Sequence, residues 1–392
     1  MQLNSSAPLR LLLFLAVICY LSAGVLRVLD TEASVMLVGL AALTCLAVIN
    51  TAASQSRHII LFCLGIALAG YTYLFSTYIG RSAIVAFFFL SSIILFIALD
   101  TNDDLQASEN ADGSVINIAK WAFLVAGMVH ALTLIFLYII EPVRVSGLME
   151  DYSQASLFIL LAFGMAYPLI KDKSYFTAIT LVLFVGFFTT FSRSANFLLL
   201  IFLLCLFLHE NKYGSIRSVV KAACLVLLAL AFVYIYPAIV DLPTVDRGGV
   251  AHFSTLNSRT VYWQAAWEAI LQQPWMGYGL GNYEWTGIKN AKPFTVIHHV
   301  HNDYLQLWHD LGLFWVAALV FFFLRTLIRY SPWGFTLRPF PMPVLINEHL
   351  QNYVAWTLLA CIAMYMMINF AISGLVFQVG IAILFADLLR TK

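Results

Sequence analysis

The stretch His298-His299-Val300-His301-Asn302-Asp303 gathers three histidines and a carboxylate in one short segment. An imidazole, with a pKa near 6.5, suits proton transfer close to neutral pH. His299, His301 and Asp303 alternate, which would also suit a metal ion. That geometry needs extended backbone where the following apolar run predicts a helix, and no separated second ligand cluster stands out. A general base therefore fits better than a metal site. A histidine bonded to backbone at an interface is the purely structural alternative. Two other signals carry less chemistry. Gly277-Tyr278-Gly279-Leu280-Gly281 lacks the strand and βαβ unit of a dinucleotide fingerprint, and reads as close backbone packing. Cys19, Cys45, Cys63, Cys205, Cys224 and Cys361 all sit in apolar runs without a C-x-x-C pair, as small buried residues do.

The elements that must position these residues belong to a membrane. The chain has 392 residues, 62% hydrophobic and only 10% charged, where a soluble domain carries about 25% charged residues. The net charge of +1 says nothing about nucleic acid, and with no basic stripe or nucleic-acid motif no such partner is expected. With about 20 apolar residues per span, roughly twelve spans are expected, at 9–27, 33–53, 58–79, 82–99, 117–140, 155–170, 174–191, 194–209, 220–240, 303–328, 350–370 and 372–390. The first resembles a signal peptide, but Ser22-Ala23-Gly24 is a poor cleavage site, so a retained helix is expected. With both termini inside, thirteen of the 21 Lys and Arg residues fall on the inner side and eight outside, in keeping with the positive-inside rule. The fold class expected is an all-α integral membrane protein, a single polytopic domain over 1–392. The membrane interior is expected to be nearly charge-free, with His130 as the main intramembrane exception, a packed or hydrogen-bonded histidine. Arg27 and Arg81 read as arginines snorkelling to headgroups.

One long outer loop, about 241–302, breaks the pattern of short connections, and loops of this length usually carry function. Pro243 and Gly248-Gly249 open it as irregular chain. Asn257 or Ser258 can cap a helix that begins near Arg259 and ends before Pro274. Trp263, Trp267 and Ile270 share one face of that helix, which suits a position on the bilayer rim. Tyr304, Gln306, His309 and Asp310 would sit in the outer half of the tenth span, where packing and function both remain open.

The order R-x-x-x-W, P-W-x-G-x-G-x-G-x-Y and H-N-D-Y-L-Q-L-x-x-D-x-G-L resembles the O-antigen ligase and polymerase superfamily. The match runs through Arg259, Trp263, Pro274, Gly277, Gly279, Tyr283, His301, Asn302, Tyr304 and Gly312, and extends upstream to Thr190-Phe191-Ser192-Arg193-Ser194. Gly147 with Ser153-Gln154-Ala155 is similar to a further family segment. The resemblance implies a multi-span glycosyltransferase of the GT-C-like type with a periplasmic loop. It would move a glycan from an undecaprenyl diphosphate carrier to an acceptor hydroxyl, in the ligase member a sugar of the lipid A–core oligosaccharide. The enzyme would lie in the bacterial inner membrane, among membrane lipids, with its site facing the periplasm. In that setting Arg193 and Arg259 would hold the diphosphate through their bidentate forks, in place of a metal. His301 would take the proton of the attacking hydroxyl, and direct displacement would invert the anomeric centre. No cofactor is implied. Arg144, Gln154, His298, His299, Asn302 and Tyr304 would line the substrates. Glu150-Asp151 is the one outward acidic pair a metal could use.

Three functions compete at this point. Polymerases of the pathway often carry R-x10-G motifs in two large outer loops; here no outward arginine is followed by glycine at that spacing, and one large loop is expected. Protein O-glycosylating relatives often have a larger C-terminal region than the two residues expected after the last span. Both points favour the ligase. A transporter or flippase would fit twelve spans, but internal repeats and midplane charges are not apparent.

Overall fold

A computed structural model describes residues 6–26, 31–50, 56–76, 78–104, 115–142, 145–149, 151–212, 216–239, 259–283, 299–330, 346–367, 369 and 375–390. These residues form thirteen α-helices. They are α1 (Ser6–Leu26), α2 (Thr31–Asn50), α3 (Ser56–Phe75), α4 (Ile79–Asp104), α5 (Val115–Ile140), α6 (Tyr152–Ile170), α7 (Phe176–Thr189), α8 (Arg193–Lys212), α9 (Ile216–Ile239), α10 (Arg259–Gln272), α11 (Asp303–Tyr330), α12 (Ile346–Met366) and α13 (Leu375–Arg390). Among the described residues, seven helices (α2, α4, α5, α6, α8, α9 and α11) are long and apolar enough to cross a bilayer, and α1, α3, α7, α12 and α13 contribute shorter apolar stretches. Each coincides with one of the expected apolar segments. Leu40, Leu43, Phe136, Leu200 and Leu227 stand exposed on these helices, a surface that lipid must cover. The chain is a multi-span membrane protein.

The centre of the bundle is α6. Sixteen of its 19 residues are buried, as expected of a helix that is apolar on all sides. It packs against α5, α7, α8 and α12. Close approach is visible at Gly127, where an added Cβ would come within 2.4 Å of Ala162 Cβ. His130 is buried beside Phe158, with ring centroids 5.6 Å apart.

Charged residues pair inside the bundle near the helix ends. Lys120 of α5 is buried and pairs with Asp387 of α13 at 2.7 Å, and Lys171, just past α6, pairs with Glu210 of α8 at 3.4 Å. Asp100 is buried as well. A hydropathy profile reads each segment alone, so it cannot see two charges on distant segments neutralising each other across a helix contact.

The described segment 273–283 is anchored where α11 breaks. Gly312 has φ 74° and ψ 171°, which interrupts the helix and releases carbonyls that a continuous helix would use. The loop takes them: Tyr278 N donates to His309 O (2.9 Å) and Gly279 N to Asp310 O (2.8 Å), while Leu313 N donates back to Pro274 O (2.9 Å). Gly277 faces this break, and a Cβ there would lie 2.5 Å from Gly312 N. The glycine run is thus a backbone-packing device, as its sequence suggested. Asp310 Oδ2 also accepts from Gly281 N at 2.9 Å, and its Oδ1 lies 2.8 Å from His309 Nδ1. The other side of the turn rests on the α3–α4 connection, where Asn282 Nδ2 donates to Ser76 Oγ (2.8 Å) and Ser82 Oγ to Leu280 O (2.8 Å). His309 and Asp310 therefore pack the loop against α11.

Candidate active site

Four helices begin at one place. Asp151 precedes α6, Arg193 opens α8, Arg259 opens α10, and His301 stands just before α11. Asp151 and Arg193 both act electrostatically on Arg259, and Arg259 and Asp151 both act on His301. Each helix start contributes the positive end of a helix dipole. Four such ends with two guanidinium groups favour an anion, and the Asp151 carboxylate partly offsets them.

Local sequence explains each placement. The α7 helix ends at Thr189, and Thr190 Oγ1 donates to Phe187 O at 2.8 Å. Phe191 then takes a left-handed φ of 50° and turns the chain. Ser192 Oγ accepts from Ala195 N at 3.4 Å, an N-cap that starts α8 with Arg193 exposed at its tip. On α6, Asp151 Oδ1 accepts from Ser153 N (2.7 Å) and Gln154 N (3.2 Å). On α11, Asn302 Oδ1 accepts from Tyr304 N and Leu305 N, both at 3.1 Å. Asn302 is thus a helix cap, and Tyr304 ties α11 to α12 by donating its hydroxyl to Ala363 O at 2.9 Å.

His301 itself has φ 57°. It and Phe191 are the two non-glycine residues with positive φ among those described, and both border this site. Strained backbone of this kind persists where surrounding structure enforces it, often at functional sites. The imidazole is half-buried, and its ring centroid lies 6.1 Å from that of Tyr262. Tyr262 is fixed in turn through its carbonyl, which accepts from the hydroxyl of buried Tyr283 at 2.9 Å. Burial pushes the His301 pKa below the usual imidazole range, the Arg259 charge pushes it the same way, and Asp151 opposes them. The ring is neutral near pH 7 and can accept a proton.

Arg259 is half-buried, and Nη2 donates to Asn369 Oδ1 at 3.0 Å. Burial lowers its pKa, neighbouring Asp151 raises it, and Arg193 lowers it. A guanidinium keeps its charge through such shifts. Helix α10 packs on α11, and its Ala266 clusters with buried Tyr283 and Val300. Trp267 meets Trp308 edge-on at 5.6 Å. Its expected aromatic face divides: Ile270 is buried, Trp263 half-buried and Trp267 exposed.

The structure thus groups Arg193 and His301 about Arg259, and Gln154 is buried in the first turn of α6, its N–H on Asp151. His299 is half-buried two residues before His301. Arg144, His298, Glu150, Arg27, Pro243, Gly248, Gly249, Asn257 and Ser258 lie outside the described residues. Two members were missed by sequence reasoning. Asp151 was weighed only as a metal ligand, although an acid three residues before Gln154 is an ordinary helix cap. Asn369 is a lone amide in an apolar segment, and a polar residue in such a position is itself a signal.

Residues 178–322 match the O-antigen ligase family. The matched span carries Arg193, Arg259 and His301, so three of the four helix starts include a residue of the ligase-family segment. Asp151, Gln154 and Asn369 lie outside it and are brought to it by the fold. No curated protein matches the chain.

Proposed function

We propose that this membrane protein is a lipopolysaccharide O-antigen ligase. It transfers a glycan from undecaprenyl diphosphate to a hydroxyl of the lipid A–core oligosaccharide, without a metal and with inversion. The observation that carries this reading is the meeting of two arginines and a neutral histidine at four helix starts. Arg259 and Arg193 bind the diphosphate and stabilise the charge that grows on it as the glycosidic bond breaks. Oriented cationic donors at a developing anion are worth about 3–4 kcal/mol each. His301 takes the proton from the acceptor hydroxyl. The hydroxyl oxygen bonds to the anomeric carbon as the carbon–oxygen bond to the phosphate breaks, and undecaprenyl diphosphate leaves. Asp151 limits mutual repulsion among the cations. Asn302 and Tyr304 serve by holding His301 in place; Gln154, His299, His298 and Arg144 contribute to the substrate surface.

In this reading twelve helices span the bacterial inner membrane, both termini are cytoplasmic, and the 241–302 loop with the site faces the periplasm. The site's anion-attracting character suits a lipid-borne diphosphate donor better than a transported solute. Lipopolysaccharide profiles from a deletion strain test the assignment. Uncapped core with full-length polymer stalled on its carrier is expected. Core carrying single repeat units would indicate a polymerase, and normal lipopolysaccharide with an unglycosylated protein would indicate a protein O-glycosylating transferase.

A further inference from the structure

On the reading that Arg259 holds the donor diphosphate, we infer that Asn369 is the positioning residue for that guanidinium, linking it to the start of α8. Asn369 follows α12, where its backbone N–H closes a turn on Tyr365 O at 3.0 Å. It is 2% exposed. A buried amide is costly unless both ends are bonded. Here both ends are used on the site: Oδ1 accepts from Arg259 Nη2 at 3.0 Å, and Nδ2 donates to Ser194 Oγ at 3.0 Å. Arginine has only donors, so the amide oxygen must face it and the amide nitrogen must face the serine. Ser194 adjoins Arg193 and lies 3.3 Å, Oγ to Oγ, from the capping Ser192. One side chain thus joins the end of α12 to the starts of α10 and α8.

The chemistry of the link favours an amide over a carboxylate. A long arginine side chain loses much rotamer freedom when it is fixed. Asn369 supplies that fixation through one N–H and leaves the rest of the fork for ligand. Aspartate would fix it equally well, but its charge would compete with a diphosphate for the same guanidinium. Asn369 lies beyond the family-matched residues 178–322, so the bundle places it.

The test uses the purified full-length protein in detergent, with undecaprenyl diphosphate as the binding probe. Asn369→Ala is expected to weaken binding roughly tenfold, from loss of a hydrogen bond to a charged partner. Asn369→Asp, nearly isosteric, should weaken it at least as much. Should the alanine variant not fold, the aspartate variant carries the comparison. In an Arg259→Ala background, Asn369→Ala should add less than about twofold, because the two side chains act as one unit. Wild-type affinity in Asn369→Asp would overturn the inference. So would an undiminished loss in the Arg259→Ala background, which would mean Asn369 acts through the fold alone. Wild-type affinity in Arg259→Ala itself would overturn the donor reading and this inference with it.

Discussion

Replacing His301 by asparagine separates proton transfer from backbone geometry. His301 holds φ 57°, a region asparagine enters more readily than most residues. The substitution should therefore leave stability within about 1 kcal/mol of wild type, while removing the group that accepts the proton. A general base contributes about 10²–10⁴-fold, or roughly 2.7–5.5 kcal/mol of barrier, so turnover should fall by that much. Donor binding, assigned to the arginines, should survive. The sign of the pH dependence follows from the site. Only neutral imidazole accepts a proton, and burial, then Arg259, hold the His301 pKa below the usual range. The acid limb of the rate profile should therefore lie below that of an ordinary histidine. Asp151 opposes this shift, so Asp151→Asn, which still caps α6, should move the limb further down. The assay is a pH series of in vitro glycan transfer for wild type, His301→Asn, His301→Ala, His298→Ala, His299→Ala and Asp151→Asn. Near-normal turnover in His301→Asn, or an acid limb that rises in Asp151→Asn, would refute the reasoning. Loss confined to His298→Ala or His299→Ala would move the base to another histidine.

Arg259→Lys and Arg193→Lys keep the charge but lose the bidentate fork; both should insert normally and lose most transfer activity, with alanine worse, and near-normal turnover in both lysine variants would reduce these residues to general electrostatics. Purified enzyme should transfer glycan in excess EDTA, whereas strict dependence on added Mg²⁺ or Mn²⁺ would shift attention to Glu150 and Asp151. Gly312→Ala places a Cβ 2.2 Å from Trp275 O at φ 74°, and should cost at least about 2 kcal/mol; thermal unfolding in detergent checks this, and an unchanged Tm contradicts the account of loop docking.

Much of this protein is legible in its residues alone. Apolar runs of bilayer length mark the helices, because a backbone in lipid must satisfy its hydrogen bonds within the segment. Each of the twelve expected stretches holds a helix among the described residues, and the helix from Arg259 stops before Pro274 as expected. Local turn chemistry was readable as well: Ser192 and Asn302 are ordinary cap residues, and the Gly277–Gly281 run announced a close approach. What the residues could not disclose is which of them meet. Asp151, Arg193, Arg259, His301 and Asn369 come from five separate parts of the chain. They converge because helix ends gather at one edge of the bundle, and nothing local in the sequence sets which ends are neighbours. The buried Lys120–Asp387 pair has the same origin. Pairing across 267 positions is set by helix packing, and packing arises from the whole set of buried surfaces at once, whereas helix formation needs only its own hydrogen bonds and a bilayer-length apolar run.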